Sequence, residues 1–206
     1  MAKYTDAKCR QCRREGCKLF LKGERCTSGK CAIDRRPVVP GQHGAAHTRV
    51  TEYRIQLREK QKVRNAYGIL ERQFSNYYEK AVRSKQTTGF ALLQMLELRL
   101  DNVVYRMGIG SSRAEARQRV GQNHITVNGK KVNIPSYQVK VGDVIAVKES
   151  SQNLEMFKAL KDLKIVMPKW LEFNNETLTG KILALPERDD IDLNIKENLI
   201  VEFYSR

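Results

Sequence analysis

The sequence predicts an α+β fold, and three observations carry the prediction. Residues 1–48 hold all five cysteines and few apolar side chains, so a metal has to stand in for a hydrophobic core there. Residues 51–99 repeat apolar side chains at helical spacing. Residues 124–147 alternate apolar and polar positions about an Asn-Gly pair, the pattern of an antiparallel hairpin and a further strand. The expected architecture is a metal-stapled N-terminal extension, a helical stretch, and a unit of two helices on a small antiparallel sheet.

Composition narrows the function class. The 206 residues carry 38 Lys+Arg against 23 Asp+Glu, a formal net charge of +15, with 41% hydrophobic residues and a mean hydropathy of −0.55. That is too apolar for a wholly disordered chain, and no run approaches the roughly 18 apolar residues of a membrane span. The opening Met1-Ala-Lys-Tyr-Thr-Asp6 lacks the apolar stretch of a signal peptide, so a cytoplasmic chain is expected. The charge is uneven: residues 1–150 carry +17 and residues 151–206 carry −2. One end thus suits a polyanion, the other solvent or a basic protein.

Cys9-x2-Cys12 presents two thiolates from one tight turn, and Cys26-x4-Cys31 supplies a second pair across Thr27-Ser28-Gly29. Four thiolates complete the tetrahedral shell of a closed, structural zinc site. An iron–sulfur cluster also takes four thiolates, and spacing alone does not separate the two. A disulfide with an odd thiol is disfavoured in a reducing compartment. Cys17 is left outside the set.

Pro37-Val-Val-Pro40-Gly41-Gln-His43-Gly44 reads as an irregular linker. Thr51–Tyr67 follows as a helix with Tyr53, Leu57 and Val63 on one face and Gly68 as its stop. Glu71–Arg83 reads as a second helix, with Phe74 in the core and Tyr77 and Tyr78 suited either to the core or to stacking on bases. Thr88–Arg99 reads as a third that buries Phe90 to Leu96, and Leu100–Met107 as a fourth ending at Gly108. Ser112-x-x-Glu115 is a capping box that opens a fifth helix through about Val120, carrying Arg113, Arg117 and Arg119. The hairpin spans His124–Ile134 around Asn128-Gly129, and Val144–Val147 is a strand. Asn153–Leu163 has helical character and Lys181–Leu185 strand character. Gly108-Ile-Gly110 lacks a third glycine and follows a helix, so it is not a dinucleotide-binding turn.

Leu100-Asp-Asn-Val-Val-Tyr-Arg106, Ser112-Arg-Ala-Glu-Ala-Arg117 and His124-Ile-Thr-Val-Asn-Gly129 resemble the S-four RNA-binding fold, which is also an appendage of pseudouridine synthases and tyrosyl-tRNA synthetases. The flanks are more specific. Arg13-Arg-Glu-Gly16, Pro40-Gly-Gln-His-Gly44, Leu57-Arg-Glu-Lys-Gln-Lys-Val-Arg64, Glu71-Arg-Gln-Phe74 and the ending Glu202-Phe-Tyr-Ser-Arg206 are similar to the bacterial small-subunit ribosomal protein four family. The resemblance runs essentially end to end. It implies a structural component of the small ribosomal subunit, a primary 16S rRNA binder that nucleates assembly of the 5′ domain and contributes to translational accuracy. It implies contact with ribosomal protein S-five and with messenger RNA where it enters the subunit. Cys9, Cys12, Cys26 and Cys31 match the zinc ligands that some members carry. The implied domains are a basic extension and linker over 1–48, a helical rRNA-binding domain over 49–98 completed by about 186–206, and the S-four fold with its extension over 99–185. One departure is Ala45-Ala46-His47-Thr48-Arg49, where members tend to be more basic, which argues against strong messenger contacts there.

Neutralising phosphates with Lys and Arg makes such binding salt-dependent, and folded RNA is read mainly by shape, 2′-hydroxyls and exposed loops. The residues expected at phosphates are Arg10, Arg13, Arg14, Arg54, Arg58, Lys62, Arg64, Arg113, Arg117 and Lys130, with His124 a weaker candidate. Glu187, Asp189, Asp190 and Asp192 form an acidic cluster that reads as a solvated loop, a Mg²⁺ site or a contact for S-five. The rival functions are an RNA-modifying enzyme anchored by an S-four fold and a stand-alone RNA-binding regulator. Against an enzyme stands the lack of a Gly-x-x-x-x-Gly-Lys-Ser/Thr loop, a His-Glu-x-x-His pair or a Gly-x-Ser-x-Gly elbow. A zinc-finger DNA regulator is disfavoured because no recognition helix of known type follows the cysteines.

Overall fold

The computed structural model describes residues 2–46, 49–160 and 166–206, so His47 and Thr48 of the linker lie outside the described residues. Two compact units divide the chain: residues 2–92 with 193–206, and residues 93–192.

The first unit begins with three short helices that carry the cysteines, α1 (Cys9–Glu15), α2 (Glu24–Thr27) and α3 (Ala32–Arg35). Helix α4 (Glu52–Ala66) opens at Thr51, whose hydroxyl accepts the Arg54 N–H at 3.3 Å. Helix α5 (Glu71–Val82) buries Phe74, Tyr77 and Ala81, one stripe at helical spacing, so Tyr77 is core. Tyr53, by contrast, is 50% exposed. Helix α6 (Thr88–Glu97) fully buries Leu92, Leu93 and Leu96, while Phe90, expected in the core, is half-buried.

In the second unit α7 (Leu100–Arg106) and α8 (Arg113–Gly121) pack on each other and on a five-stranded antiparallel sheet. Its strands are β1 (Ile125–Val127), β2 (Lys130–Lys131), β3 (Val144–Val147), β4 (Leu171–Asn174) and β5 (Thr179–Ile182), in the order β2-β1-β3-β5-β4. Alternation places Ile125 and Val127 of β1 and Ile145 and Val147 of β3 in the core, paired as Ile125↔Val147 and Val127↔Ile145. Asn128 and Gly129 sit at φ 50° and 76°, the left-handed pair a tight hairpin turn needs. The cap of α8 is shifted by one residue from the expected box. Ser112 Oγ accepts the Glu115 N–H at 3.3 Å, but the Glu115 carboxylate takes the N–H of Ser111, not of Ser112, at 2.8 Å. Gly180 is closely packed: a Cβ there would lie 2.6 Å from the Met107 methyl and 3.0 Å from the Glu172 carbonyl, so the buried Met107 side chain would have to shift.

The small antiparallel sheet is as expected in kind, with one strand more. β5 lies at Thr179–Ile182, not Lys181–Leu185, and β4 had no counterpart in the sequence pattern. The Asn153–Leu163 helix is replaced by α9 (Glu149–Gln152) and α10 (Glu155–Lys158), and residues 161–165 lie outside the described residues. After a 3-10 turn at Arg188–Asp190, α11 (Glu197–Tyr204) returns to the first unit and packs along α4, where the Gln56 amide donates to Glu202 at 3.0 Å. No helix among the described residues is long and apolar enough to cross a membrane.

Candidate nucleic-acid interface

The N-terminal thiols come first in the chain. Cys12, Cys26 and Cys31 are each 8% exposed and Cys9 is half-buried. Burial pushes the Cys12 thiol up, a backbone N–H from Leu19 opposes this, and the Cys26, Cys9 and Cys31 thiols add to the rise. Cys12 thus lies within the electrostatic reach of Cys9, Cys26 and Cys31. The Lys22 N–H donates to Cys26 Sγ at 3.3 Å. Among the described residues no three His, Cys, Asp or Glu side chains already converge as ligands of one ion. Cys17 sits elsewhere, in the field of Lys62, Glu15 and Glu59, its thiol also raised by burial.

Helix periodicity builds the cationic face of the first unit. Arg10 and Arg14 are one turn apart on α1; Arg58, Gln61 and Asn65 share one side of α4. With Arg64, Glu15, Gln11, Tyr4 and Pro40 they line a cleft of about 330 Å³. The Glu15 side chain, 2% exposed, forms its floor, accepting from Arg58 Nη1 at 3.2 Å and Asn65 Nδ2 at 3.4 Å. Burial pushes its carboxyl up, against the pull of Arg58 and Arg14. The structure thus gathers four of the expected arginines, Arg10, Arg14, Arg58 and Arg64, at one place. The other candidates stand apart. Arg13 Nε donates to the Val38 carbonyl at 2.9 Å, Lys62 pairs with Glu59 and with the Asn194 carbonyl, and Arg54 is half-buried in the first turn of α4.

Near α4 a second cluster was not legible in the sequence. Glu71 accepts from Lys60 at 2.6 Å and from the Tyr204 hydroxyl at 2.8 Å. Lys60 Nζ stands 4.6 Å over the Phe203 ring, and Tyr78 stacks on Tyr204 at 4.5 Å. Tyr78 is therefore occupied within the fold. Burial pushes the Glu71 carboxyl up, but the bonds from Lys60 and Tyr204 outweigh it and hold the carboxyl below its ordinary range.

In the second unit, Arg113 and Arg117 sit on α8 but are bonded inward. Arg113 Nε donates to Asn102 at 2.7 Å and its guanidinium lies 4.6 Å over the Tyr105 ring. Arg117 donates to Asp101 at 3.0 Å, and the same carboxylate holds the fully buried Arg99 at 2.9 and 3.1 Å. Beside them Glu97 takes Asn102 at 2.7 Å and Arg106 at 3.0 Å, and Arg106 reaches Asp192 as well. Burial works against the Arg106 charge, yet Glu97 and Asp192 hold its pKa above the ordinary arginine value. Lys130 stands exposed on the hairpin. The His124 ring is engaged within the fold: Nδ1 is 2.9 Å from the Ser151 hydroxyl and the ring meets Phe157 edge-on. In the acidic cluster Glu187 and Asp190 cap each other's backbone, and Asp192 is tied to Arg106.

A family model of the ribosomal protein S4/S9 N-terminal domain matches residues 3–97, and one of the S4 domain matches residues 98–145. The small ribosomal subunit protein uS4 of Ruminiclostridium cellulolyticum is 62% identical over 208 aligned residues, covering all of both chains. The chain belongs to the ribosomal protein S4 family. Family members of the same name from Acetivibrio thermocellus and Clostridioides difficile are 61% and 58% identical, again over all of both chains. In this S4-family chain the S4-domain match takes in α7, α8, β1, β2 and the first half of β3, and the two strands that complete the sheet, β4 and β5, lie beyond it.

Proposed function

We propose that the chain is a structural component of the small ribosomal subunit that binds 16S rRNA, nucleates assembly of its 5′ domain and supports accurate translation, in the cytoplasm as part of the ribosome. The observation that carries this reading is full-length kinship with proteins named small ribosomal subunit protein uS4. The +17 of residues 1–150 supplies the electrostatics. Phosphates meet first the exposed Arg10, Arg14 and Lys130, while Arg13, Arg54, Arg58, Lys62, Arg64, Arg113 and Arg117, half-buried, reach RNA while keeping their places in the fold. A basic neighbour, S-five, meets the −2 segment, and messenger RNA passes near the N-terminal extension.

The reading includes one structural zinc on Cys9, Cys12, Cys26 and Cys31. What supports it is the donor chemistry: four thiols, three of them nearly buried, with backbone N–H groups donating to Cys12 and Cys26, though among the described residues the four do not converge on one point. Bound zinc supplies a covalent cross-link between α1 and the start of α3. Co-sedimentation tests the function: the tagged chain should stay with small subunits in near-equal stoichiometry through a high-salt wash. Recovery in the free-protein fraction would refute it.

A further inference from the structure

The cleft between α1 and α4 carries more than charge. Two buried polar atoms on its lining residues have no partner among the described residues: Gln61 Oε1, an acceptor, and Arg64 Nε, a donor. Leaving such atoms unpaired is costly, so a bound group or water is called for. Glu15 adds an acceptor of a different kind: both of its hydrogen bonds among the described residues, from Arg58 and Asn65, fall on Oε1, so Oε2, which is not one of the buried unpaired atoms, is open to a donor. Arg10 and Arg14, exposed and in no salt bridge among the described residues, stand at the rim. About 330 Å³ lies at the low end of the roughly 300–1,000 Å³ of small-ligand sites, room for one nucleotide but not for a duplex.

A phosphate alone satisfies the arginines but not Gln61 Oε1 or Glu15 Oε2, which need donors. A base edge supplies what is missing. Guanine offers N1–H and the N2 amino group as adjacent donors, with O6 and N7 as acceptors for a guanidinium. Adenine and cytosine put an amino group beside a ring acceptor, which would face the Glu15 carboxylate. Unstacked bases of single-stranded RNA are the ones proteins read in this way. We propose that this cleft receives one unstacked guanine nucleotide of the bound RNA. Glu15 and Gln61 take its donor edge, Arg64 its acceptors, and Arg10 and Arg14 its flanking phosphates. The proposal rests on the RNA-binding reading above.

Kethoxal, which modifies N1 and N2 of unpaired guanine, reads the site directly. Small-subunit rRNA is probed free, with the full chain, and with Gln61→Leu or Glu15→Gln. Two variants are used so that a folding defect in one leaves the other decisive. One guanine that is reactive in free RNA should become protected by the parent chain and regain reactivity with the variants, whose affinity falls about tenfold. Inosine at that position, lacking the N2 amino group, should weaken the parent chain by a similar factor. If the parent chain binds but no guanine is protected in a Gln61- or Glu15-dependent way, the cleft holds only water and the proposal is overturned. Failure of the parent chain to bind rRNA at all would instead remove the RNA-binding reading, and the proposal with it.

Discussion

Asp101 is a buried carboxylate of the second unit that holds two arginines. It is 4% exposed and bonded to two cations, Arg99, fully buried, and Arg117, whose side chain is about one-tenth exposed. Asp101→Ala takes the carboxylate from a guanidinium that has no water to turn to. Breaking a buried ion pair by removing one partner costs about 3–5 kcal/mol. Arg117→Ala is milder, because Asp101 keeps Arg99; the lost charge-assisted bond is worth about 1.5 kcal/mol, the low end for such bonds, as Arg117 is partly open to solvent. The single tryptophan, Trp170, lies 2% exposed in the core of this unit, so its fluorescence in urea follows this unit's unfolding. At a slope of about 1–3 kcal/mol/M, Asp101→Ala should lower the midpoint by more than about 1 M and Arg117→Ala by clearly less. Equal shifts, or a shift for Asp101→Ala near zero, would refute the view that Arg99 relies on this carboxylate.

Three further outcomes are expected. Glu71 has a folded pKa held below its unfolded value of about 4.3, so its stabilisation is full above that pH and lost as pH falls through the folded value; amide protection in α11, corrected for the intrinsic exchange rate at each pH, should fall on acidification into that range, and Glu71→Gln should abolish that part of the pH dependence. Arg10→Ala or Arg14→Ala should flatten the salt slope of rRNA binding by about 1 each, measured by titration against salt, and an unchanged slope would show no phosphate contact. Chelation of purified protein should release zinc in about equimolar amount and raise proteolysis of residues 9–36, and Cys9→Ser should lower metal content while Cys17→Ser leaves it unchanged.

Periodicity made the helices over 52–66, 71–82 and 100–106 legible, as it did the Asn128-Gly129 hairpin, because each buries one clean face or needs a special turn. Strand β4 was not, since Leu-Glu-Phe-Asn has only two apolar residues and its turn uses Leu178 at φ 52° in place of glycine. Over 153–160 the pattern reads as one helix, where the structure has a break at Asn153–Leu154 between α9 and α10; 161–163 lie outside the described residues. At the candidate site, the grouping of Arg10 and Arg14 with Arg58 and Arg64 was not visible, because it depends on how α1 lies against α4. Arg113 and Arg117 look like surface cations on an exposed helix; only tertiary structure brings Asn102, Tyr105 and Asp101 beneath them. Nothing in local sequence marks Tyr204 as the partner of Glu71, 133 residues away.

That long reach bears on synthesis. The first unit draws on α11, whose residues follow residue 92 by about 100 positions of the second unit. At roughly 5–20 residues per second, about 100 intervening residues impose a wait of about 5–20 s, during which Lys60 and Glu71 face water without Phe203 and Tyr204. The second unit is made whole during that wait. Once residues 93–192 have cleared the ribosome, the second unit has every strand of its sheet, while the first unit still lacks the helix that packs along α4.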